Sequence, residues 1–364
     1  MSRAPGFEPR GRPGSPRFAL ALGGGAARGL AHIGVLEVLE REGLRPDLIV
    51  GTSMGGLIGA LSATGLLARD VAEIAGSFRF PRWFLPGGVL DWNSLFASSI
   101  PPHSCAFEHL TIPLAVTAVD LEAGTQVILH TGPVLPAVQA TCTVPGILPP
   151  IKLGGRWLID GGIVNVLPVD VAWMSDPDFV VAVNVGAVRE RRVPQLDWRI
   201  TALLSRLGGV IPNPATAKVT LEILVRSVEI MLERQMTLSV AMTAPELLIE
   251  PDLGDIGLRD FHRMQDAVEA GRRAAEAALP DLASLLESPS AVATIGEREL
   301  SLRFDPVCAM VTSPARARAR VTRAGKTYYF CSENCRDRFE RDPDAYLGKA
   351  LLDLGGKTPK RPSE

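Results

Sequence analysis

The sequence predicts an α/β fold in which a mostly parallel sheet is covered by helices, followed by a small cysteine-containing module. Two successive units, each an apolar strand, a glycine turn and a helical stretch, open the ordered chain, and that alternation marks parallel strands with helical crossovers. Residues 179–185 add a nearly unbroken apolar run of the kind that a sheet buried on both faces requires. Beyond residue 305 Arg and Cys become frequent after a stretch rich in Ser, Pro and Gly, which sets off a separate unit.

Taken in order, residues 1–17 carry Arg3, Arg10, Arg12 and Arg17 among prolines and glycines and read as a disordered tail; no apolar segment follows, so they are not a secretory signal. Residues 18–22 form a strand that ends in Gly23-Gly24-Gly25, and residues 26–42 form a helix stopped by Gly43 and Pro46. Residues 47–50, the turn 51–56 and a helix from 57 repeat the plan. Further strands are expected at 112–119, 127–129 and 157–159, and long helices at 215–242 and 260–279. The domain is placed at 18–285, a linker at 286–300, the module at 301–350 and a second disordered tail at 351–364.

The length of 364 residues suits about two domains. A net charge of −2 gives no global attraction to nucleic acid, and no such partner is expected. No apolar run approaches the roughly 18 residues that a membrane-spanning helix needs. Five cysteines, an odd number, argue against a disulfide framework and for reduced thiols or metal ligands in a cytoplasmic protein.

Gly51-Thr52-Ser53-Met54-Gly55 matches G-x-S-x-G between a strand and a helix, the context that exposes a serine hydroxyl on a sharp bend above a sheet. A serine needs a base to become a nucleophile. Of the five histidines only His262 follows the best acidic candidate, as a Ser, Asp, His order requires, and it lies in a charged helical stretch with no turn to aim it. Asp160 is the stronger partner. It ends an apolar strand just before Gly161-Gly162, where it either serves as the base of a Ser-Asp dyad or hydrogen-bonds its own turn.

The turn Gly23-Gly24-Gly25-Ala26-Ala27-Arg28-Gly29 gathers small residues whose N–H groups can converge at a helix N-terminus, a setting for an oxyanion. It lacks the Gly-Lys-Ser/Thr of a P-loop and the last glycine of a dinucleotide fingerprint, so nucleotide binding is the weaker reading. Arg28 either pairs in a salt bridge at the helix start or anchors this loop, and His32 reads as a packed helix residue.

The run GGGAARGLAHIGV from Gly23, then Gly51-Thr-Ser-Met-Gly-Gly56, then Thr143-Val-Pro-Gly-Ile-Leu-Pro-Pro150 with Asp160-Gly-Gly-Ile-Val-Asn165 together resemble the patatin-like phospholipase family in its compact bacterial form. Leu22 stands where the family often has Asp or Gly. The resemblance, over residues 18–285, implies a three-layer α/β/α acyl hydrolase of lipid esters, of phospholipase A or lysophospholipase type, working through an acyl-enzyme without a cofactor. It implies Ser53 as nucleophile, Asp160 as base, and Gly23, Gly24, Gly25 and Arg28 as the oxyanion region. Residues 77–96, dense in aromatics broken by Pro and Gly, either cap an acyl groove, dock on a lipid surface or pack in the core; with the Arg-rich tail they are the source of any peripheral membrane contact.

Cys308, Cys331 and Cys335 crowd the C-terminal module, and the last two, one helical turn apart, can face a common ion. The stretch resembles the YHS domain, a small metal-associated module, with Ala309 where glycine is commoner. No histidine follows His262, so a fourth ligand would come from Asp305, Met310, water or a partner chain, and the soft donors suit zinc or Cu(I). The alternative is a small fold whose cysteines are simply buried. Cys105 and Cys142 carry no motif, and the basic run Arg316, Arg318, Arg320, Arg323 and Lys326 reads as a solvated hairpin. The rival to a lipid hydrolase is a metal- or redox-responsive adaptor whose α/β domain is a non-catalytic scaffold.

Overall fold

A computed structural model of the chain describes residues 16–77, 106–145, 148–186 and 243–287, with parts of 227–239, 303–346 and 351–352. Strand β1 (Phe18–Leu22) lies at the centre of the sheet, parallel to β2 (Leu48–Thr52) on one side and to β7 (Phe179–Val183) on the other. Strand β3 (Leu114–Asp120) continues parallel beyond β2, and β8 (Leu247–Ile249) beyond β7. Strands β4 (Thr125–Leu129) and β6 (Arg156–Asp160) run antiparallel to β3, and β5 (Ile151–Leu153) forms a hairpin with β6. The two-residue strand Leu351–Leu352 lies parallel to β4.

Alternate side chains of the central strands enter two cores. Leu20, Leu22, Ile49, Leu114, Val116, Val181 and Val183 meet α1 (Ala31–Arg41), α2 (Met54–Ala63), α3 (Ala68–Ser77), α4 (Val134–Thr141) and α6 (Met264–Glu287) on one face. Ala19, Ala21, Val50, Ala115, Val180 and Ala182 meet residues 166–172, including α5 (Val169–Ala172), on the other. The two faces make the three-layer α/β/α arrangement, as expected.

Helices α1 and α6 approach to backbone contact. A Cβ on Gly34 would lie 1.9 Å from the Val268 carbonyl oxygen, and one on Gly271 would lie 1.9 Å from that of Ala31, so only glycine fits at either position. Arg272 pairs with Glu37 at 2.9 Å across the same crossing. Helix α6 runs through Pro280 to Glu287, eight residues beyond the end its sequence suggests. Pro280 cannot donate to the carbonyl four residues back, but Leu282 and Leu285, both fully buried, hold the last turns on the core.

The C-terminal residues form two short antiparallel pairs, β9 (Arg303–Phe304) with β10 (Val311–Thr312) and β11 (Ala319–Arg323) with β12 (Lys326–Phe330), and helix α7 (Glu333–Arg341). Their core is small: Val307, Ala319, Phe330, Cys335 and Phe339. Among the described residues no helix is long and apolar enough to cross a membrane. Most of the expected N-terminal tail, the aromatic segment from residue 78 on, Cys105, Cys308, Met310 and Cys331 lie outside the described residues.

Candidate active site

The sheet register brings Ser53 and Asp160 together. Strand β2 ends with Thr52 opposite Thr117 of β3, and at the next residue of β3, Ala118, the edge is taken over by β6 with Asp160. One strand therefore stops and the other begins at the same level, with Ser53 turning out of the junction. Ser53 has φ 54° and ψ −123°, a strained backbone for a residue with a side chain, costing about 1–3 kcal/mol. Surrounding structure enforces it. A Cβ on Gly55 would lie 2.2 Å from the Leu22 carbonyl oxygen, so the first turn of α2 can press onto the end of β1 only with glycine there. The Ser53 N–H donates to Thr141 Oγ1 at 2.8 Å, and the Thr52 hydroxyl to the Asn165 carbonyl at 2.9 Å.

The Asp160 carboxyl group is buried, and burial raises its pKa from 3.8 to about 6; contact with the Ser53 side chain and the Gly162 N–H, which donates to Oδ1 at 2.8 Å, opposes that rise. The turn interaction and the approach to Ser53 therefore coexist at one carboxylate. Such a group is ionised at neutral pH yet close enough to its pKa to accept a proton. Next to it, the Cys142 thiol donates to the Ser53 carbonyl oxygen at 3.4 Å, and burial followed by the Asp160 charge pushes its pKa well above the usual thiol range. His262 is exposed on the turn before α6, His109 is exposed, and His32 is committed elsewhere.

The glycine turn stands over Ser53, but its donors differ from those expected. The Gly23 N–H donates to the Val183 carbonyl at 3.1 Å and that of Gly24 to Val166 at 2.8 Å, so neither is available to an oxyanion. Among the described residues no hydrogen bond engages the N–H of Gly25 or of Ala26, which has φ 46°. Gly24 contributes closeness: a Cβ there would lie 3.3 Å from Ser53 Cβ. The Nε of the buried Arg28 donates to the Ile256 carbonyl at 2.9 Å, and the Ala27 N–H donates to that of Leu258. His32 Nε2 lies 2.7 Å from the Gly23 carbonyl oxygen, and burial lowers its pKa to about 4, so the ring is neutral and donates. The turn is thus fixed from the 253–258 loop, from α1 and from β7.

Behind the site, Asn165 Nδ2 donates to Asp170 Oδ1 at 2.6 Å and approaches Gln126 Oε1 at 3.2 Å; burial raises the Asp170 pKa to about 6. No local pattern singled out Thr141, Asp170 or Cys142, because their roles come from register. In the C-terminal module Cys335 packs among Phe330, Phe339 and Val307, and Asp305 Oδ1 accepts from the Val307 N–H at 2.9 Å. Among the described residues no three His, Cys, Asp or Glu side chains converge on a point. One of the three thiols thus lies in an apolar pocket, which suits either a sheltered soft-metal ligand or a packed cysteine. A cavity of about 750 Å³ lined by Phe18, Asp47 and Pro113 opens at the opposite edge, where β1, β2 and β3 begin, away from Ser53.

The profile of the patatin-like phospholipase family matches residues 20–96 and 102–173, and that of the YHS domain residues 304–350. An uncharacterized NTE family protein of Mycobacterium tuberculosis is 31% identical over 286 residues, 73% of this chain and 47% of its own. A second from the same species is 32% identical over 197 residues, 52% of this chain and 54% of its own. Patatin-like phospholipase domain-containing protein 6 of Mus musculus is 35% identical over 186 residues, 48% of this chain and 14% of its own. The crystal structure of VipD from Legionella pneumophila matches 74% of this chain and 67% of its own at a TM-score of 0.40 and 12% identity. The chain spans about half the length of the mycobacterial relatives. Residues 20–173 thus form a domain of the patatin-like phospholipase family, and a YHS domain follows it at residues 304–350.

Proposed function

We propose that the patatin-like domain is a serine acyl hydrolase cleaving carboxylic esters of lipids, of phospholipase A or lysophospholipase type, through a Ser53-Asp160 dyad. The observation that carries this reading is a strained Ser53 whose side chain meets a buried carboxylate with a pKa of about 6. Asp160 takes the hydroxyl proton as Ser53 Oγ attacks the ester carbonyl carbon. The N–H groups of Gly25 and Ala26, joined by that of Met54 at the start of α2, face the developing oxyanion. The tetrahedral adduct collapses, the C–O bond breaks, and Asp160 returns the proton to the leaving alcohol. Asp160 then deprotonates a water that attacks acyl-Ser53, which releases the fatty acid and restores the serine.

The test is labelling by a fluorophosphonate together with hydrolysis of a p-nitrophenyl ester. The proposal expects Ser53 to carry the label, and Ser53→Ala to lose both label and turnover while folding as wild type. A folded wild-type chain that takes no label and turns over no ester would overturn it in favour of a scaffold. The YHS domain is proposed to hold zinc or Cu(I) through Cys308, Cys331 and Cys335, an ion that would brace the small module and take no part in ester cleavage.

A further inference from the structure

Beyond the dyad, three side chains line up across the strands. Lys152 on β5 stands opposite Trp157 on β6. Asp120 on β3 stands opposite Leu158, and one residue on, the Leu121 N–H donates to the Trp157 carbonyl at 2.8 Å, so Leu121 extends that register opposite Trp157. Residues opposite one another in antiparallel strands share a face, which makes Lys152, Trp157 and Leu121 one transverse row. Trp157 is 41% exposed and Leu121 51%, two adjacent members of a small set of exposed large apolar side chains among the described residues. The Lys152 ammonium lies 5.4 Å from the indole centroid, while Arg156 is matched by Asp120 at 3.7 Å.

The row lies toward the end of the sheet at which Ser53 emerges, with Trp157, an odd number of residues from Asp160, on the other sheet face. From Asp160 back to Trp157 is three residues of β6, roughly 10 Å in the direction in which β2 delivers Ser53. An exposed indole beside an aliphatic chain and an ammonium is the chemistry of a bilayer boundary: the ring spans the headgroup level, the aliphatic chain enters the acyl region, and the cation meets lipid phosphate.

We propose that Leu121, Trp157 and Lys152 form a docking edge for an anionic lipid surface, set beside the proposed site so that ester bonds of the bilayer are presented to Ser53. The inference rests on the lipid acyl hydrolase reading. Its test compares the full chain with a Leu121→Ser/Trp157→Ser variant on vesicles of phosphatidylcholine and phosphatidylglycerol and on a soluble short-chain p-nitrophenyl ester. Vesicle co-sedimentation and vesicle hydrolysis should both fall about tenfold or more, while soluble-ester turnover stays within about twofold. Lys152→Glu should weaken binding to the mixed vesicles and leave binding to pure phosphatidylcholine unchanged. Unaltered sedimentation of the double variant would overturn the proposal, as would a change in its oligomeric state with vesicle binding intact, which would assign the edge to a second copy of the chain. Wild type that sediments through this edge yet hydrolyses neither ester would support the docking edge and defeat the hydrolase reading alone.

Discussion

Thr141 accepts a hydrogen bond from the backbone N–H of Ser53 at 2.8 Å and is itself fully buried, so the last residue of α4 fixes the elbow from below. Thr141→Val keeps the shape and removes the acceptor, leaving a buried N–H unpaired at a cost of about 1–3 kcal/mol. Ester turnover should fall roughly 10- to 100-fold with KM little changed, because the proposed nucleophile is displaced and the binding surface is not. Steady-state kinetics on a soluble ester measure this, and wild-type kcat in a folded Thr141→Val protein would show that the elbow holds itself.

Asp160 predicts the pH profile. Its pKa is raised to about 6, chiefly by burial, and the base must be ionised, so kcat/KM should fall about tenfold per pH unit below that point and level off above it. A profile flat down to pH 4 would remove Asp160 from the role of base.

The same carboxylate weighs on stability with the opposite preference. Because its folded pKa lies above the unfolded value of 3.8, the native state binds more protons between about 4 and 6, and the associated stability is lost as pH rises through about 6. Asp170, also raised to about 6 by burial, acts in the same direction. Asp160→Asn should therefore abolish turnover yet stabilise the fold at pH 8 by about 1–3 kcal/mol, with the gain shrinking at pH 4. Thermal melts at the two pH values test it; a variant less stable than wild type at pH 8 would contradict it.

Gly24 lies against Ser53, the proposed nucleophile. Its missing Cβ would sit 3.3 Å from both Ser53 Cβ and Val166 Cγ2, so Gly24→Ala should lower kcat by about tenfold and Gly24→Val by about a hundredfold as bulk reaches Ser53. Equal effects from both variants, or none, would show that bulk over Ser53 is not what matters.

The C-terminal core of Val307, Ala319, Phe330, Cys335 and Phe339 is small for a self-supporting unit. If the cysteines hold an ion, the purified full chain should contain about one equivalent of zinc or copper, and a strong chelator or Cys331→Ser/Cys335→Ser should remove both the ion and amide-exchange protection of β12 and α7 while soluble-ester turnover persists. Metal analysis and exchange by mass spectrometry decide it; metal-free protein with those amides protected would show packed cysteines instead.

What was legible in the sequence was local. The elbow and Asp160 each announce themselves by an apolar strand running into glycines, and Phe179–Val183 by its unbroken apolar run. Strands β5, antiparallel to β6, and β8, parallel to β7, have three residues each and were too short to show a pattern. Which N–H groups the glycine turn leaves open depends on the carbonyls of Val166 and Val183, far along the chain, so the expectation of Gly23 and Gly24 as donors could not be corrected from the turn itself. Thr141 was invisible for the same reason, and Pro280 suggested a helix end that the burial of Leu282 and Leu285 overrides.

The glycine contact between Gly34 and Gly271 also sets a schedule for protein synthesis. The strand, glycine turn and first helix leave the ribosome early, but the face of α1 that carries Gly34 has nothing to pack against until residue 271 and the helix around it have been made. At about 5–20 residues per second that interval is roughly ten to fifty seconds, during which the apolar surface of a half-made domain stands open. In the nascent chain, then, that face of α1 is open to solvent or to other chains for as long as the synthesis of the intervening residues takes.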